Sequence, residues 1–296
     1  MIPKIIHYCW FGPNEKPDIV KKCIESWKKF CPDYEIREWN EKNYDISKAP
    51  LYVRQAYEIK KWAFITDYAR LEIVYQYGGI YLDTDVELLR SLDAFLQYDG
   101  FFTFDNDAMI ATGLGFGCQP HEEILRELMD DYQDIPFLLD DGRYDRTPCP
   151  ERNLPVFLRH GLKKEDTFQT IGNLAFLPSE YFSPLSFHDM VLRKTENTVA
   201  IHWYAATWHT KAAKRNQAKR VRRAKLAAKL LEKKNIFAPL LGEKNLEKIC
   251  QRIREPKKSA LKKRIVESVK HCAHSVIGEN FYARLKKIKN KIKYRH

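Results

Sequence analysis

The sequence contains no apolar run that approaches the length of a membrane span, so a transmembrane helix is not expected. The first predicted strand begins at Ile2, which leaves no space for a signal peptide. We therefore expect a protein of the cytoplasm.

Closely spaced cysteine pairs are also missing. The seven cysteines are odd in number and form no CxxC motif, which disfavours a zinc site and a disulfide framework. We interpret them as reduced residues that mostly pack in the interior: Cys9, Cys23, Cys31, Cys118, Cys149, Cys250 and Cys272.

Acidic residues are scarce in the last part of the chain. Residues 211–296 hold 28 Lys and Arg against 6 Asp and Glu, whereas residues 1–210 hold 23 against 33, within a total net charge of +12. A chain of 296 residues, 44% of them hydrophobic, is long enough for one domain with a substantial core and an appendage. The sequence therefore predicts an acidic domain over residues 1–210 and a basic tail over residues 211–296.

The basic tail combines a helical pattern with few aromatic residues. The run from Lys211 to Lys234 is rich in Ala, Leu, Lys and Arg, and apolar residues from Leu261 onward follow helical spacing. An apolar stripe backed by basic residues is typical of a helix on an anionic membrane surface, and a helical cap packed on the body is the alternative. The shortage of aromatic residues disfavours nucleic-acid binding. The tail thus predicts a peripheral position at the inner face of the membrane.

Strands and helices alternate in the N-terminal half. The pattern predicts a strand from Lys4 to Tyr8, a helix from Ile19 to Phe30 and a strand from Glu35 to Trp39. This βαβ order predicts an α/β fold with a mainly parallel sheet and helices on its faces.

The most informative segment, residues 60–89, reads KKWAFITDYARLEIVYQYGGIYLDTDVELL. Apolar residues spaced by three and four predict a helix over residues 62–77, ended by two glycines. A short apolar strand over residues 80–82 follows, and Asp83 and Asp85 come directly after it. Because open α/β sheets bind ligands at the carboxyl ends of their strands, we expect both carboxylates at a binding site.

Two aspartates separated by one residue suit a hard divalent ion such as Mg²⁺ or Mn²⁺, which prefers oxygen ligands. The pattern alone is not specific, because Asp105, Asn106 and Asp107 repeat it elsewhere, and such residues also make turns.

Asp67 and Arg70 lie one turn apart on one side of the predicted helix. Such a pair is more often a surface ion pair of small value. This helix, however, is largely apolar around them, and a buried pair is costly without further polar partners. A ligand rich in hydroxyl groups would supply such partners.

Three segments in this order resemble a family of DXD-containing glycosyltransferases. The run from Ala63 to Asp85 carries the central pattern, IPKIIHYCWFG at residues 2–12 resembles the first strand, and HWYAATW at residues 202–208 resembles the closing motif. The family includes bacterial capsular polysaccharide transferases, fungal mannosyltransferases and the glucosyltransferase domain of large bacterial toxins. The resemblance covers roughly residues 1–210.

The resemblance implies a GT-A type, Rossmann-like domain that binds a nucleotide sugar, and it implies roles for single residues. Asp67 and Arg70 would hydrogen-bond the transferred sugar. Asp85 would ligate Mn²⁺ or Mg²⁺, and Asp83 would contact the ribose or reach the metal through water. We take Asp67, Arg70 and Asp85 as the catalytic residues. Trp10 would stack on uracil, although on the sequence alone a core anchor beside a turn is the alternative.

The closing motif offers two further candidates. His202 is a candidate third metal ligand, and Trp208 is a candidate donor of its indole N–H to a phosphate oxygen. The alternative is a buried strand, TVAIHW, with a satisfied histidine. The family usually has a Ser-Trp pair where this chain has Thr207 and Trp208, and threonine keeps the hydroxyl.

The segment from Asp105 to Gln119 contains several glycines and predicts a loop beneath the donor sugar. Asn106 or Asp107 would then approach the anomeric carbon. This segment matches no family pattern residue by residue, so its role stays open.

Together these features predict a metal-dependent retaining glycosyltransferase that moves a hexose from a UDP-sugar, UDP-galactose being favoured, to a glycan or lipid-linked oligosaccharide acceptor. The expected setting is the synthesis of capsular or other cell-surface polysaccharide. A glycoside hydrolase is disfavoured, because Asp83 and Asp85 lie at one strand end and do not flank a bond from opposite sides. The remaining alternative is a catalytically inactive nucleotide-sugar or glycan-binding protein, anchored at the membrane by its basic tail.

Overall fold

The computed structural model describes residues 1–205 and 242–254, together with residues 215, 218, 219, 221–223, 226, 227, 230 and 231. The chain divides into two compact units, Met1–Lys214 and Arg215–His296. The separate roles expected of residues 1–210 and 211–296 stay a prediction. Trp208 and the apolar stripe from Leu261 onward lie outside the described residues.

The first unit contains nine strands, six α-helices and two 3₁₀ turns in its described residues. The strands are β1 Ile5–Cys9, β2 Glu35–Trp39, β3 Gly79–Tyr81, β4 Val86–Leu88, β5 Gly100–Thr103, β6 Phe116–Cys118, β7 Gln169–Ile171, β8 Leu174–Leu177 and β9 Ala200–His202. The helices are α1 Asp18–Phe30, α2 Leu51–Glu58, α3 Trp62–Tyr77, α4 Glu123–Asp130, α5 Cys149–Arg159 and α6 Ser179–Phe182. The 3₁₀ turns are Ile46–Lys48 and Asp93–Phe95.

Seven strands form the central sheet, in the order β2-β1-β3-β6-β5-β8-β7. The pairs β1–β2, β1–β3 and β5–β8 are parallel, and β6 and β7 pair antiparallel with their neighbours. The predicted α/β class is confirmed. The N-terminal βαβ unit also matches closely, since β1, α1 and β2 lie within one residue of the predicted limits.

Helix α3 and strand β3 form the predicted support of the two aspartates. Gly78 has a positive φ of 64°, and its N–H bonds the carbonyl of Val74 at 2.8 Å, which ends the helix. Gly79 also has a positive φ, and a Cβ there would stand 2.8 Å from the carbonyl oxygen of Ile5. The two glycines therefore let the chain reverse from α3 into the sheet directly beside β1.

The sheet buries an apolar core on each face. One face packs against α2 to α5 with Ile65, Val74, Phe102 and Phe116, among others, and the opposite face packs against α1, β4, α6 and β9. Burial on both faces explains why β1, β5 and β8 read as nearly continuous apolar runs.

Strands β4 and β9 pair antiparallel as a separate two-stranded sheet, with Val86 opposite His202. Helix α1 holds this small sheet in place, because the Trp27 indole N–H bonds the Val86 carbonyl at 2.8 Å and the Leu88 N–H bonds the Ser26 hydroxyl at 2.9 Å. The small sheet fixes the position of the residue that precedes it, Asp85.

Two local predictions need correction. The loop expected over residues 105–119 contains strand β6, which is only three residues long and includes Gly117. A Cβ at Gly117 would stand 2.8 Å from the Ile80 side chain, so close strand packing explains the glycine. Asp85 also does not share a strand end with Asp83, since it lies directly before β4.

In the second unit, the described residues between positions 215 and 231 are helical, and Glu243–Arg254 forms helix α7. Ala227, Leu246 and Cys250 are buried together there. Within the described part of the chain, no helix has the length and apolarity that a membrane crossing requires.

Candidate active site

The turn between β3 and β4 carries Asp83 and Asp85, and backbone hydrogen bonds hold it on both sides. The Leu82 N–H bonds the His7 carbonyl of β1 at 3.1 Å, and the Asp83 N–H bonds the Gly113 carbonyl at 3.1 Å. The Val86 N–H returns to the Asp83 carbonyl at 3.0 Å. The two carboxylates therefore start from a fixed backbone and reach different partners.

Asp83 belongs to a cluster with Asp67, Arg70 and Tyr81, which we call the donor-side network; Arg70 and Tyr81 are buried, and the two aspartates are partly buried. Arg70 Nη2 lies 2.9 Å from Asp67 Oδ1 and 3.5 Å from Asp83 Oδ1. The Tyr81 hydroxyl donates to Asp83 Oδ1 at 3.0 Å. The Arg70 side chain is only 5% exposed, so the predicted i, i+3 pair is an interior pair with a third charged member.

Burial dominates the ionisation of the donor-side network. It raises the pKa of both Asp67 and Asp83, although the Arg70 charge opposes the shift. Burial also disfavours the Arg70 guanidinium, but Asp83 and Asp67 outweigh this and hold the Arg70 pKa well above its usual value. Two carboxylates thus face one permanent cation, an arrangement suited to accepting hydrogen bonds from a ligand.

Gly113 leaves room for the side chains of the donor-side network because glycine has no Cβ atom. A Cβ at this position would stand 2.8 Å from Arg70 Nη1 and closer still to Asp83 Oδ2. The backbone of the segment after β5 therefore packs directly against the charged atoms.

Asp85 lies in a second cluster with His202 and Ala205, which we call the Asp85 cluster. His202 Nε2 lies 3.1 Å from Asp85 Oδ1, and the Ala205 N–H donates to Asp85 Oδ2 at 2.7 Å. Burial alone would raise the Asp85 pKa, but His202 and the Ala205 N–H hold it below its usual value. Burial likewise lowers the His202 pKa, and the nearby Asp85 charge outweighs that effect and raises it.

The residues present fit a divalent metal ion. Asp83, Asp85 and His202 each offer one ligand atom, and these atoms lie within 4.8 Å of one another. His202 Nδ1 is buried and, among the described residues, has no hydrogen-bond partner, which is uncommon for a buried ring nitrogen. Two carboxylates and an imidazole form a donor set that Mn²⁺ accepts.

Trp10 lies at the end of β1 and is partly exposed. Its indole N–H donates to the Asn14 carbonyl at 2.8 Å, and the Lys16 ammonium lies 5.9 Å from its ring centroid. Lys16 in turn pairs with Glu38 at 2.8 Å. The ring is therefore held at its nitrogen edge, and its role in base stacking stays a prediction.

The tryptophan that follows His202 has a structural role. The Trp203 indole N–H donates to Glu87 Oε2 at 2.8 Å, and Lys22 pairs with the same carboxylate at 2.8 Å. This links β9 to β4 and α1. Trp208, the predicted phosphate contact, lies outside the described residues.

The segment after β5 forms a turn rather than a second metal site. Asp105 Oδ1 accepts the N–H groups of Asp107 and Met109 at 2.8 and 3.0 Å. Asn106 Nδ2 donates to the Ser183 carbonyl at 2.9 Å. These contacts give the second Asp-x-Asp pattern the turn geometry that was its alternative interpretation.

Cys149 and Thr112 line the donor-side network and were not predicted to do so. Arg70 Nη1 lies 3.9 Å from Cys149 Sγ, and the Thr112 hydroxyl lies 3.8 Å from the same sulfur. Burial raises the Cys149 pKa, so the group is a neutral thiol. The only sequence signal was the proline after Cys149, typical of a helix start.

Comparison with known proteins relates part of the chain to a known family. Residues 17–102 match the family described as "Glycosyltransferase sugar-binding region containing DXD motif". The matched range contains Asp67, Arg70, Asp83 and Asp85. The match is therefore to a sugar-binding region of glycosyltransferases.

Two curated relatives are themselves named glycosyltransferases. Inositol phosphoceramide mannosyltransferase 3 of Schizosaccharomyces pombe is 37% identical over 108 residues, covering 33% of this chain and 28% of that protein. Alpha-1,4-N-acetylglucosaminyltransferase of Homo sapiens is 30% identical over 139 residues, covering 44% of this chain and 37% of that protein. The chain thus spans about a third of the length of these relatives.

Among solved structures, PaToxG glycosyltransferase aligns over 54% of this chain and 69% of its own, with a TM-score of 0.42 and 15% identity. Residues 17–102 match the DXD-containing glycosyltransferase family. The resemblance inferred from the sequence is confirmed, and so is the enzyme class of the family.

Proposed function

We propose that the protein is a metal-dependent, retaining glycosyltransferase that moves a hexose from a UDP-sugar to a glycan or lipid-linked oligosaccharide acceptor. One observation carries the proposal: Asp83, Asp85 and His202 offer three ligand atoms within 4.8 Å of one another, beside the buried pair of Asp67 and Arg70. A metal-binding cluster next to a buried, charged hydrogen-bonding network suits a donor that joins a diphosphate to a sugar.

The donor-side network is the proposed sugar site. Asp67 accepts hydrogen bonds from sugar hydroxyls, and Arg70 donates to them while it holds Asp67 and Asp83 in place. Trp10 stacks on the uracil ring, and Asp83 contacts the ribose or reaches the metal through water. Trp208 is proposed to donate to a phosphate oxygen.

Asp85 and His202 are the proposed direct metal ligands. When bound, a divalent ion neutralises charge on the diphosphate leaving group. The Ala205 N–H on Asp85 Oδ2 holds this carboxylate in one orientation.

The proposed transfer proceeds on one face of the donor sugar. The bond from the anomeric carbon to the phosphate oxygen breaks through an oxocarbenium-like state, and the acceptor oxygen bonds the same face. The acceptor proton passes to the leaving phosphate oxygen. Asp107 pairs with His188 on the surface at 2.7 Å, and a glycosyl adduct isolated on Asp107 would refute this route.

The donor is proposed to be UDP-galactose, within capsular or other cell-surface polysaccharide synthesis, on the strength of the family resemblance. The named relatives differ in their sugars, mannose in one and N-acetylglucosamine in the other. The donor therefore has to be tested over a panel that includes both.

The decisive experiment measures release of nucleoside diphosphate from UDP-galactose, UDP-glucose, UDP-N-acetylglucosamine and GDP-mannose, with Mn²⁺ and with chelator. We expect turnover of one donor that is lost with chelator and in Asp85→Asn. Asp130→Asn, on the exposed surface of α4, is the matched control and retains turnover. Donor binding without release under every condition, with candidate acceptors present, would favour the alternative of an inactive nucleotide-sugar-binding protein.

The basic tail is proposed to hold the protein at the cytoplasmic face of the membrane. Its 28 basic residues against 6 acidic ones in residues 211–296 support attraction to anionic lipid. We expect the full chain to sediment with vesicles that contain phosphatidylglycerol, and not with pure phosphatidylcholine vesicles, with release at high salt. Absence of binding to both vesicle types would contradict this proposal.

A further inference from the structure

Four residues next to the Asp85 cluster form what we call the aromatic rim: the partly buried Phe187 and Tyr204 and the exposed Asp107 and His188. The Tyr204 ring centroid lies 4.2 Å from that of His202 and 5.2 Å from that of Phe187. The Phe187 and His188 centroids are 6.2 Å apart. A continuous run of rings therefore leads from the candidate metal ligand to the protein surface.

The outer end of the aromatic rim is polar and open. His188 Nε2 and Asp107 Oδ1 are 2.7 Å apart, and their side chains are 51% and 58% exposed. An exposed pair of this kind contributes little to stability. It does place a carboxylate and an imidazole, both able to bond hydroxyl groups, beside an aromatic ring.

Hydrogen bonds fix the two loops that carry the aromatic rim. Asn106 accepts the Phe187 N–H at 3.3 Å and donates to the Ser183 carbonyl at 2.9 Å. The Ser183 and Tyr204 hydroxyls are 2.8 Å apart. The rings thus have defined positions before any ligand binds, which lowers the entropic cost of binding.

The backbone at the aromatic rim is strained. Tyr204 has a φ of 49°, and Met190, in the same loop as Phe187, has a φ of 54°. For a residue with a side chain, this left-handed conformation is sterically unfavourable. Such strain persists where the surrounding contacts determine the conformation, and it concentrates at ligand-binding sites.

We propose that the aromatic rim binds a sugar ring of the acceptor glycan, an inference that rests on the proposed glycosyltransferase function. A pyranose ring presents an apolar C–H face, which packs on an aromatic ring, and hydroxyl groups, which bond carboxylate and imidazole. The proposed donor contacts, Asp67 and Arg70, lie on a different element, α3. The rim adjoins the Asp85 cluster through Tyr204 and His202, where an acceptor must meet the donor.

The test measures binding of lactose, maltose and cellobiose to the full chain by ligand-observed NMR, in the presence of Mn²⁺ and UDP. At least one disaccharide is expected to bind, and Phe187→Ala is expected to weaken it roughly fivefold to tenfold. Asp107→Asn keeps the shape and is expected to weaken it by a similar factor through loss of a charged acceptor. The Kd for UDP with Mn²⁺ stays within about twofold in both variants, because UDP carries no hexose for either residue to contact.

Matched controls are Phe168→Ala and Asp141→Asn, which remove an exposed ring and an exposed carboxylate outside the aromatic rim. Both should bind the disaccharide as the native chain does. UDP binding without any disaccharide binding, or disaccharide binding unchanged in the rim variants, would overturn the rim proposal alone. A native chain that binds no UDP with Mn²⁺ would overturn the proposed function, and the rim proposal with it.

Discussion

Asp83 and Asp85 are separated by one residue, yet they belong to different parts of the fold. The donor-side network around Asp83 is built from α3 and β3, which are adjacent in sequence, and Arg70 ties it together. The Asp85 cluster depends on β9, and His202 Nδ1 has no partner there among the described residues. A short motif thus joins two different environments. In the first, the charged side chains are paired with one another; in the second, a ring nitrogen remains available to a ligand.

The largest effect is expected from the variant that tests whether the donor-side network also stabilises the fold. Arg70→Met removes the buried cation from Asp67 and Asp83, whose side chains are only 14% and 28% exposed, and it should lower the free energy of unfolding by about 3 kcal/mol. Urea denaturation of the metal-free protein measures this. Arg126→Met removes a half-exposed arginine from α4 and should cost less than about 1 kcal/mol. Equal losses of unfolding free energy in the two variants would show that the donor-side network contributes no more to stability than a surface ion pair.

Gly113→Ala tests how tightly the donor-side network is packed. The new methyl group meets Arg70 and Asp83, and it should cost about 1–3 kcal/mol of stability and also reduce donor turnover. Gly100→Ala is the matched control, because its Cβ would stand 2.7 Å from Cys118 Sγ, away from the site, and neither glycine has a positive φ. That variant should lose stability while its folded fraction keeps the native turnover. Retained turnover in Gly113→Ala would contradict the assignment.

His202→Gln tests the Asp85 cluster. Loss of the imidazole from the proposed metal site should weaken Mn²⁺ binding in the presence of UDP by about 10- to 100-fold, as measured by calorimetry. The change in the free energy of unfolding of the metal-free protein should stay near 1 kcal/mol. His160→Gln, which removes a histidine bonded to Glu127 on the surface, should bind Mn²⁺ normally. Unchanged affinity in His202→Gln would exclude it as a ligand.

The smallest effect concerns His7, which is fully buried on β1. Trp39 donates to its Nδ1 at 3.0 Å and its Nε2–H reaches the Gly78 carbonyl at 2.9 Å, so the neutral ring is satisfied. Burial lowers its pKa to about 4 from an ordinary value of 6.5. The unfolded chain therefore binds the proton more readily, and stability falls as the pH drops from 6.5 toward 4.

Between pH 7 and pH 6 the loss due to His7 should be somewhat under about 1 kcal/mol, and it should grow toward pH 4. The measurement is the pH dependence of unfolding in the native protein minus that in His7→Gln. A difference that does not change with pH would show that His7 is not held neutral. The two histidines would then no longer differ in the direction of their pKa shifts, which is downward for His7 and upward for His202 beside Asp85.

The sequence was sufficient for those parts of the site that local chemistry determines. Helix α3 and strand β3 followed from apolar spacing and from the two glycines between them, and the pairing of Asp67 with Arg70 followed from one helical turn. The meeting of Asp85 with His202 was inferred only through the family resemblance, because periodicity says nothing about which strands pair. Its assignment as a metal site stays a prediction.

Long-range packing explains what was missed. In the sequence Gly113 resembles an ordinary loop glycine, and only the structure shows its contact with Arg70 and Asp83. Cys149 likewise resembles a core cysteine, and only the packing of α5 brings it next to Arg70. Strand β6 is three residues long, too short for an alternation pattern to show. The aromatic rim joins loops about 80 residues apart, since His188 and Asp107 are separated by 81 positions.

The small sheet of β4 and β9 also has a consequence for biosynthesis. Asp85 receives its hydrogen bond from Ala205, 120 positions later in the chain, so a nascent polypeptide holding only α3, β3 and β4 lacks half of the cluster. Closing so long a loop is slow and entropically unfavourable until the intervening layers have packed. On the ribosome, the Asp85 cluster would therefore be completed late, after most of the unit has been translated.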